Sequence, residues 1–216
     1  MCSKLHAVFG GTFDPIHFGH LLPVKILASQ IGLKSVIIIP NNIPPHRLQP
    51  EASALQRVKM LKFATKKEPL FKIDTRELRY KIPSWTVYTI ENLRAELGHE
   101  KSLVFIIGFD SLLNLTKWYR WQDLLSLCHI VVCNRSEYLS ENQEIQSIPD
   151  ALKKYIISDI KKLYLQQSGY IWLADTPYFN ISSTEIKLLV SQKKKCDHLL
   201  PKAVIEYIFK CGLYSK

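Results

Sequence analysis

The sequence predicts an α/β protein built on a mostly parallel sheet with helices on both faces. Short apolar runs bounded by turn signals recur along the chain, and between most of them lie stretches long enough for a helix. Groups able to bind a ligand also follow the runs directly: Gly10-Gly11-Thr12, Pro40-Asn41-Asn42, Gly108-Phe109-Asp110 and Asn134-Arg135. In a parallel sheet these carboxyl ends share one edge, and open α/β sheets bind ligands there.

Taken in order, the strands are expected at residues 5–9, 36–39, 71–73, 103–107, 130–133 and 171–173. After the first, Phe18, Leu21, Leu22, Ile26 and Leu27 recur at roughly helical spacing, which predicts a helix over 17–31. Further helices are expected over 54–65, 86–97, 111–115, 150–165, 183–191 and 202–210, with Gly212 as a left-handed cap after the last. Residues 136–143 and 145–149 read as the least regular linker, and there is no internal repeat.

With 216 residues, 47% of them hydrophobic, the chain can bury the core of one domain. That domain is expected to run over 1–216, with a helical C-terminal part from about residue 181. No N-terminal signal-like segment is present, and no run approaches the roughly 20 apolar residues of a membrane span. A soluble, cytoplasmic protein without a membrane partner is the expectation. The five cysteines are odd in number and scattered without a C-x-x-C, as thiols in a reducing compartment would be, and none is assigned a catalytic role.

The formal charge of +10 suits nucleic acid or, equally, an enzyme that handles two polyanionic nucleotides. Lys161-Lys162 and Lys193-Lys194-Lys195 read as solvated helix faces, and no zinc-finger or interleaved aromatic pattern accompanies them. No nucleic-acid partner is expected.

The most informative stretch is Gly10-Gly11-Thr12-Phe13-Asp14-Pro15-Ile16-His17-Phe18-Gly19-His20. Glycines at a strand end let the backbone turn and bring bare N–H groups against an anion. His17 and His20 fall on adjacent turns at the start of the following helix, where imidazoles can donate to phosphate oxygens and follow charge as it grows. Alone, the glycine pair is also an ordinary turn, and a histidine pair can be a metal site. No Cys or carboxylate lies at a familiar zinc spacing from it, so no protein metal site is expected.

Further along, Ile181-Ser182-Ser183-Thr184-Glu185-Ile186-Lys187 opens a helix with hydroxyls and free N–H groups, either a simple cap or a second anion site. Pro40-Asn41-Asn42-Ile43-Pro44-Pro45-His46-Arg47 is a proline-stiffened loop with two basic groups. Thr86, at a helix start, lies near amides that suit a carboxylate. The pair Trp118-Tyr119 is either core or a platform for a flat ring.

These segments together resemble the HxGH nucleotidyltransferase superfamily of class I aminoacyl-tRNA synthetase-like Rossmann proteins. Within it the chain is similar to the bacterial nicotinate-nucleotide adenylyltransferase family, from Phe9 to Tyr214. The resemblance implies a Rossmann-like, doubly wound fold. It also implies adenylyl transfer from ATP to nicotinate mononucleotide, with nicotinate adenine dinucleotide and pyrophosphate as products and Mg²⁺ carried mainly by substrate phosphates.

On this reading His17 and His20 are catalytic, and Gly10, Gly11, Thr12, Phe13, His46, Arg47, Ile181, Ser182, Ser183, Thr184 and Lys187 join them in binding ATP. Gly11, Thr12, Asn41, Thr86, Gly108, Asp110, Trp118, Tyr119 and Arg135 are expected to bind the nicotinate nucleotide. The Thr86 and Tyr119 backbone amides would hold the carboxylate, Trp118 would stack on the ring and Asp110 would accept from a ribose hydroxyl. Two positions depart from the family pattern: Lys187 stands where the family usually has Arg, and Phe109 where it often has a small or polar residue.

The attacking phosphate has a second pKa of about 6 and needs no general base at neutral pH. Phosphopantetheine adenylyltransferase shares the HxGH and ISSTx[VI]R elements. Chain length and the 40–47 and 118–119 segments favour the nicotinate enzyme over it. A nicotinamide mononucleotide or dual-specificity enzyme would also carry these segments, and a non-enzymatic nucleotide- or RNA-binding module fits them least. A tRNA synthetase fragment is disfavoured by the absence of a KMSKS-like sequence. Oligomeric state is not legible.

Overall fold

The computed structural model describes residues 5–44, 49–80, 82–133 and 141–215. Strand β1 (His6–Gly11) leads into helix α1 (Phe18–Gln30), and β2 (Val36–Pro40) into α2 (Ala54–Thr65). Then follow β3 (Phe71–Ile73), α3 (Thr86–Leu97), β4 (Leu103–Gly108), α4 (Phe109–Leu113), α5 (Trp121–Leu127) and β5 (His129–Cys133). The chain continues with α6 (Glu141–Ser147), α7 (Asp150–Lys153), β6 (Ile156–Ile157), α8 (Lys162–Leu165), β7 (Ile171–Leu173), α9 (Ser183–Ser191) and α10 (Lys202–Lys210).

The seven strands form one sheet in the order β3-β2-β1-β4-β5-β7-β6, and every pairing is parallel. The chain leaves β1 toward β2 and β3 and returns to its other side through β4. The crevice at the carboxyl ends of β1 and β4 is therefore the point where the winding reverses.

Both sheet faces are buried, as strand alternation requires. Ala7, Val104, Ile106 and Val131 face a core shared with Val24 and Leu27 of α1, Ile186 of α9 and Ile208 of α10. Val8, Phe105, Ile107 and Val132 face the opposite core with Ile90 and Leu93 of α3 and Leu124 of α5. Helices on two faces explain why the strands read as continuous apolar runs.

Four helices, at 54–65, 86–97, 183–191 and 202–210, have the bounds the sequence predicts, and Gly212 adopts the left-handed conformation (φ 60°). The expected helix over 150–165 does not form. Its β-branched centre, Ile156-Ile157, is drawn into the sheet against Ile171 and Trp172, leaving single helical turns on either side. The helix expected at 111–115 instead starts at Phe109, directly off β4. Residues Glu141–Ser147 of the expected linker are helical, and α5 carries no strong sequence signal. The remainder of the 136–143 segment lies outside the described residues.

Cys128 and Cys133 are fully buried, and burial pushes the Cys133 thiol up to about 12. Both are inert core residues. No described helix is long and apolar enough to cross a membrane.

Candidate active site

The edge begins where β1 runs out of side chains. A Cβ on Gly10 would stand 3.2 Å from the Phe105 ring, and one on Gly11 would be 2.8 Å from the Phe13 ring. Phe13 folds back there with φ 52°, a conformation that a bulky residue holds only when its surroundings fix it. The Asn41 N–H donates to Gly11 O at 3.0 Å, and Asn41 Nδ2 donates to Thr12 Oγ1 at 3.1 Å, so the turns after β1 and β2 are stitched together.

His17 is the N-cap residue of α1, and His20 lies in its first turn. Their rings stack with centroids 3.7 Å apart, and the His17 N–H donates to His20 Nδ1 at 3.3 Å. With Nδ1 accepting, a neutral His20 carries its proton on Nε2. His17 is only 4% exposed, and burial pushes its pKa down to about 4, so it is neutral at pH 7. Its Nδ1 is buried with no hydrogen-bond partner among the described residues.

Gly19 explains how the two motifs meet. A Cβ there would be 3.0 Å from both His17 Nδ1 and the carbonyl oxygen of Ile181. The Ile181 backbone thus passes against Gly19, next to the His17 ring. Ser183 Oγ donates to Pro15 O at 3.1 Å, while Ser182 Oγ caps α9 by accepting from the Glu185 N–H. Both hydroxyls therefore have structural partners, and the exposed Thr184 stands in the first turn of α9.

Lys187 is held by carboxylates. Its Nζ lies 2.6 Å from Asp14 Oδ2 and 2.9 Å from Glu51 Oε1, above the Tyr214 ring. Burial works against its charge, but the hydrogen bonds to Asp14 and Glu51 prevail and hold the ammonium above its ordinary range. Asp14 also accepts from Tyr214 OH (2.6 Å) and from the N–H groups of Glu51 and Ala52. A triphosphate contact from Lys187 would have to compete with both carboxylates.

The described residues assigned to the second nucleotide lie on the adjoining part of the same edge. Gly108 ends β4 and Asp110 lies in the first turn of α4; a Cβ on Gly108 would meet Asp110 Oδ1 at 2.6 Å. The half-buried Trp118 packs edge-on against Phe105, the ring that also lies on Gly10. Tyr119 is exposed, with Trp85 at 5.1 Å and Tyr88 at 5.9 Å between centroids. Thr86 is the first residue of α3, and the loop before it is tied to the β2 turn: Asn42 N–H donates to Ser84 Oγ, and Ser84 N–H to Ile43 O. A cavity of about 270 Å³ lined by Glu77, Tyr80, Ile82, Trp85 and Tyr88 opens beside that loop. His46, Arg47 and Arg135 lie outside the described residues.

Sequence reasoning misses Arg57, Tyr214 and Trp85, and gives Asp14 no role. Arg57 sits at the end of the first turn of α2 and Tyr214 near the chain's end, so nothing local marks either as part of the edge.

This is a nucleotidyltransferase-type site: a parallel Rossmann-like sheet whose switch point carries a glycine turn, a histidine pair and a second helix start. Residues 8–188 match the cytidylyltransferase-like family model. The chain is 51% identical over 212 residues to the protein named probable nicotinate-nucleotide adenylyltransferase in Yersinia enterocolitica, covering 97% of this chain and 95% of that one. It is 48% identical over 213 residues to the Klebsiella pneumoniae protein of the same name, covering 98% of each. The chain belongs to the nicotinate-nucleotide adenylyltransferase family. The solved structure of Plasmodium falciparum nicotinic acid mononucleotide adenylyltransferase complexed with NaAD shares the fold (TM-score 0.72, 16% identity, 98% of this chain and 97% of that one).

Proposed function

We propose that the chain transfers the adenylyl group of ATP to nicotinate mononucleotide, forming nicotinate adenine dinucleotide and releasing pyrophosphate. The observation that supports this reading is the seating of the Ile181 carbonyl against Gly19, beside the His17 ring that stacks on His20, which brings the starts of α1 and α9 together. Identity near 50% with named relatives across nearly the whole chain selects the substrate pair.

In this reaction an oxygen of the acceptor's 5′-phosphate forms a bond to the α-phosphorus of ATP while the bond to the bridging oxygen breaks. The attacking group is already mostly a dianion, so the protein's task is alignment and charge stabilisation. His20, with Nδ1 engaged by the His17 N–H, offers Nε2–H to a phosphate oxygen. His17, neutral and with Nδ1 buried beside Gly19, stacks on His20 and would meet a phosphate only through its other ring nitrogen. The bare N–H groups after Gly10 and Gly11 supply further donors.

No group of three His, Cys, Asp or Glu side chains is assembled among the described residues. The Asp14 carboxylate is saturated by four donors. An Mg²⁺ ion would be carried by phosphate oxygens and water and would supply charge neutralisation on the triphosphate. Thr86, Trp118, Tyr119 and Asp110 are assigned to the pyridine nucleotide, and ATP takes the side of Ser182, Ser183 and Thr184.

The test is pyrophosphate release from ATP and Mg²⁺ with nicotinate mononucleotide, nicotinamide mononucleotide and phosphopantetheine supplied separately. Release with the first well above the others is expected. Release with phosphopantetheine alone would overturn the substrate, and silence with all three would overturn the reaction.

A further inference from the structure

Arg57 is the largest fully buried side chain in the described protein, 1% exposed, and it lies beneath the site. Its Nη1 donates to the Thr12 carbonyl at 2.7 Å, and its Nη2 to the Asn41 carbonyl at 2.7 Å, with the Asn42 carbonyl at 3.4 Å. One rigid fork thus collects main-chain oxygens from two turns, one after β1 and the other after β2. Its Nε is buried with no partner among the described residues. Burying a guanidinium with an unmet donor carries a desolvation cost that its bonds to these carbonyls must offset.

The value of the arrangement lies in direction. A peptide's carbonyl and the N–H that follows it point to opposite sides of a planar unit. Drawing the Thr12 carbonyl down into the protein turns the Phe13 N–H up toward the edge. Drawing the Asn41 carbonyl down turns the Asn42 N–H away, toward Ser84 Oγ, which accepts it at 2.9 Å in the loop before Thr86. The same fork therefore fixes a donor on the phosphate side and the link to the nicotinate side.

We propose that Arg57 is a positioning residue for catalysis: its guanidinium sets the β1 and β2 turns in one register, so that the phosphate donors and the Thr86 loop face the two nucleotides together. The proposal rests on the adenylyl-transfer reading of this edge. Arg57 touches no reacting atom. Lysine cannot substitute, because a single ammonium on a flexible stem does not span two carbonyls in a fixed plane.

A second buried arginine provides the control. Arg94, 4% exposed, also binds main-chain carbonyls, those of Leu127, Gly98, Lys101 and Gln167. These precede β4 and β5 or follow α8, at the sheet edge opposite the site.

The experiment compares Arg57→Lys and Arg57→Gln with Arg94→Lys in the full-length chain. Turnover and KM for both substrates are normalised to the folded fraction given by circular dichroism. In Arg57→Lys, kcat is expected to fall about 10- to 100-fold, the scale of a small misplacement at a reacting centre. Arg94→Lys is expected to melt at a lower temperature with kcat within about twofold of the parent. Equal kcat losses at the two positions, or an Arg57→Lys kcat within about twofold, would overturn the proposal. So would failure of both Arg57 variants to fold where Arg94→Lys folds, since Arg57 would then serve the core alone. A parent protein without adenylyl transfer would instead refute the reading on which the proposal rests.

Discussion

Replacing Asp14 by Asn removes one charge from the centre of the network that joins the first turn, α9 and the C-terminal Tyr214. The carboxylate accepts four hydrogen bonds, two on each oxygen, from Lys187, Tyr214 and the N–H groups of Glu51 and Ala52. Asparagine keeps one accepting oxygen and turns an NH₂ toward two donors. Breaking a buried pair costs about 3–5 kcal/mol. The Lys187 side chain is 24% exposed and recovers part of this by hydration, which leaves about 2–4 kcal/mol. With a urea slope of about 2 kcal/mol/M, the unfolding midpoint should drop by about 1–2 M.

The pH dependence has a definite sign. Burial pushes the Asp14 carboxyl up, but the bonds from Lys187 and Tyr214, the Lys187 charge and the Ala52 N–H together outweigh it and hold the carboxyl below its usual range. Its contribution is complete above the unfolded value of about 3.9 and is lost as pH falls through the lower folded value. The gap between parent and Asp14→Asn should therefore close in acid. A midpoint shift under about 0.5 M at pH 7, or a gap that persists undiminished at pH 2, would refute the account.

Two further outcomes follow from the histidine pair. In Gly19→Ala, the gain in helix propensity of about 1 kcal/mol offsets crowding of about 1–3 kcal/mol against His17 and the Ile181 carbonyl. Melting should shift by only a few degrees while turnover falls at least about tenfold, and unchanged turnover would show that the spacing of the two motifs is immaterial. His17 has a folded pKa near 4 against about 6.5 unfolded, so the unfolded chain binds more protons between those values. Stability should decline as pH falls from about 6.5 to 4, by up to about 3 kcal/mol for 2.5 units at 1.36 kcal/mol each. His17→Gln should flatten that part of the ΔG–pH curve, and an unaltered slope would assign the acid sensitivity elsewhere.

The parallel sheet and the edge that carries the site were legible because they depend on patterns local in sequence. Apolar runs of strand length, glycines at the end of β1 and a serine start to α9 each declare themselves within a few residues. The failures came where tertiary pairing overrides local pattern. Residues 150–165 contain enough leucine and lysine for a helix, yet Ile156 and Ile157 gain more by extending the sheet beside β7. Lys187 illustrates a subtler limit. Its motif position suggests phosphate, but the partners that hold it, Asp14 and Glu51, lie more than 130 residues earlier in the chain.

Arg57 and Asp14 were opaque for a related reason. The signals read from the sequence were donors: glycine N–H groups, imidazoles and hydroxyls at helix starts. A donor serves catalysis only if something fixes its direction, and here that is done from below. Arg57 takes the Thr12 and Asn41 carbonyls, and Asp14 takes the Glu51 and Ala52 N–H groups along with Lys187 and Tyr214. The two side chains have opposite charge and act on opposite main-chain groups, so together they clamp the turn after β1 between α2 and the C-terminal elements. Which carbonyl an arginine captures depends on the relative placement of two turns 29 residues apart and of a helix residue 45 residues beyond the first. No pattern along the chain encodes that distance directly, and it emerges only once the sheet has set β1 beside β2.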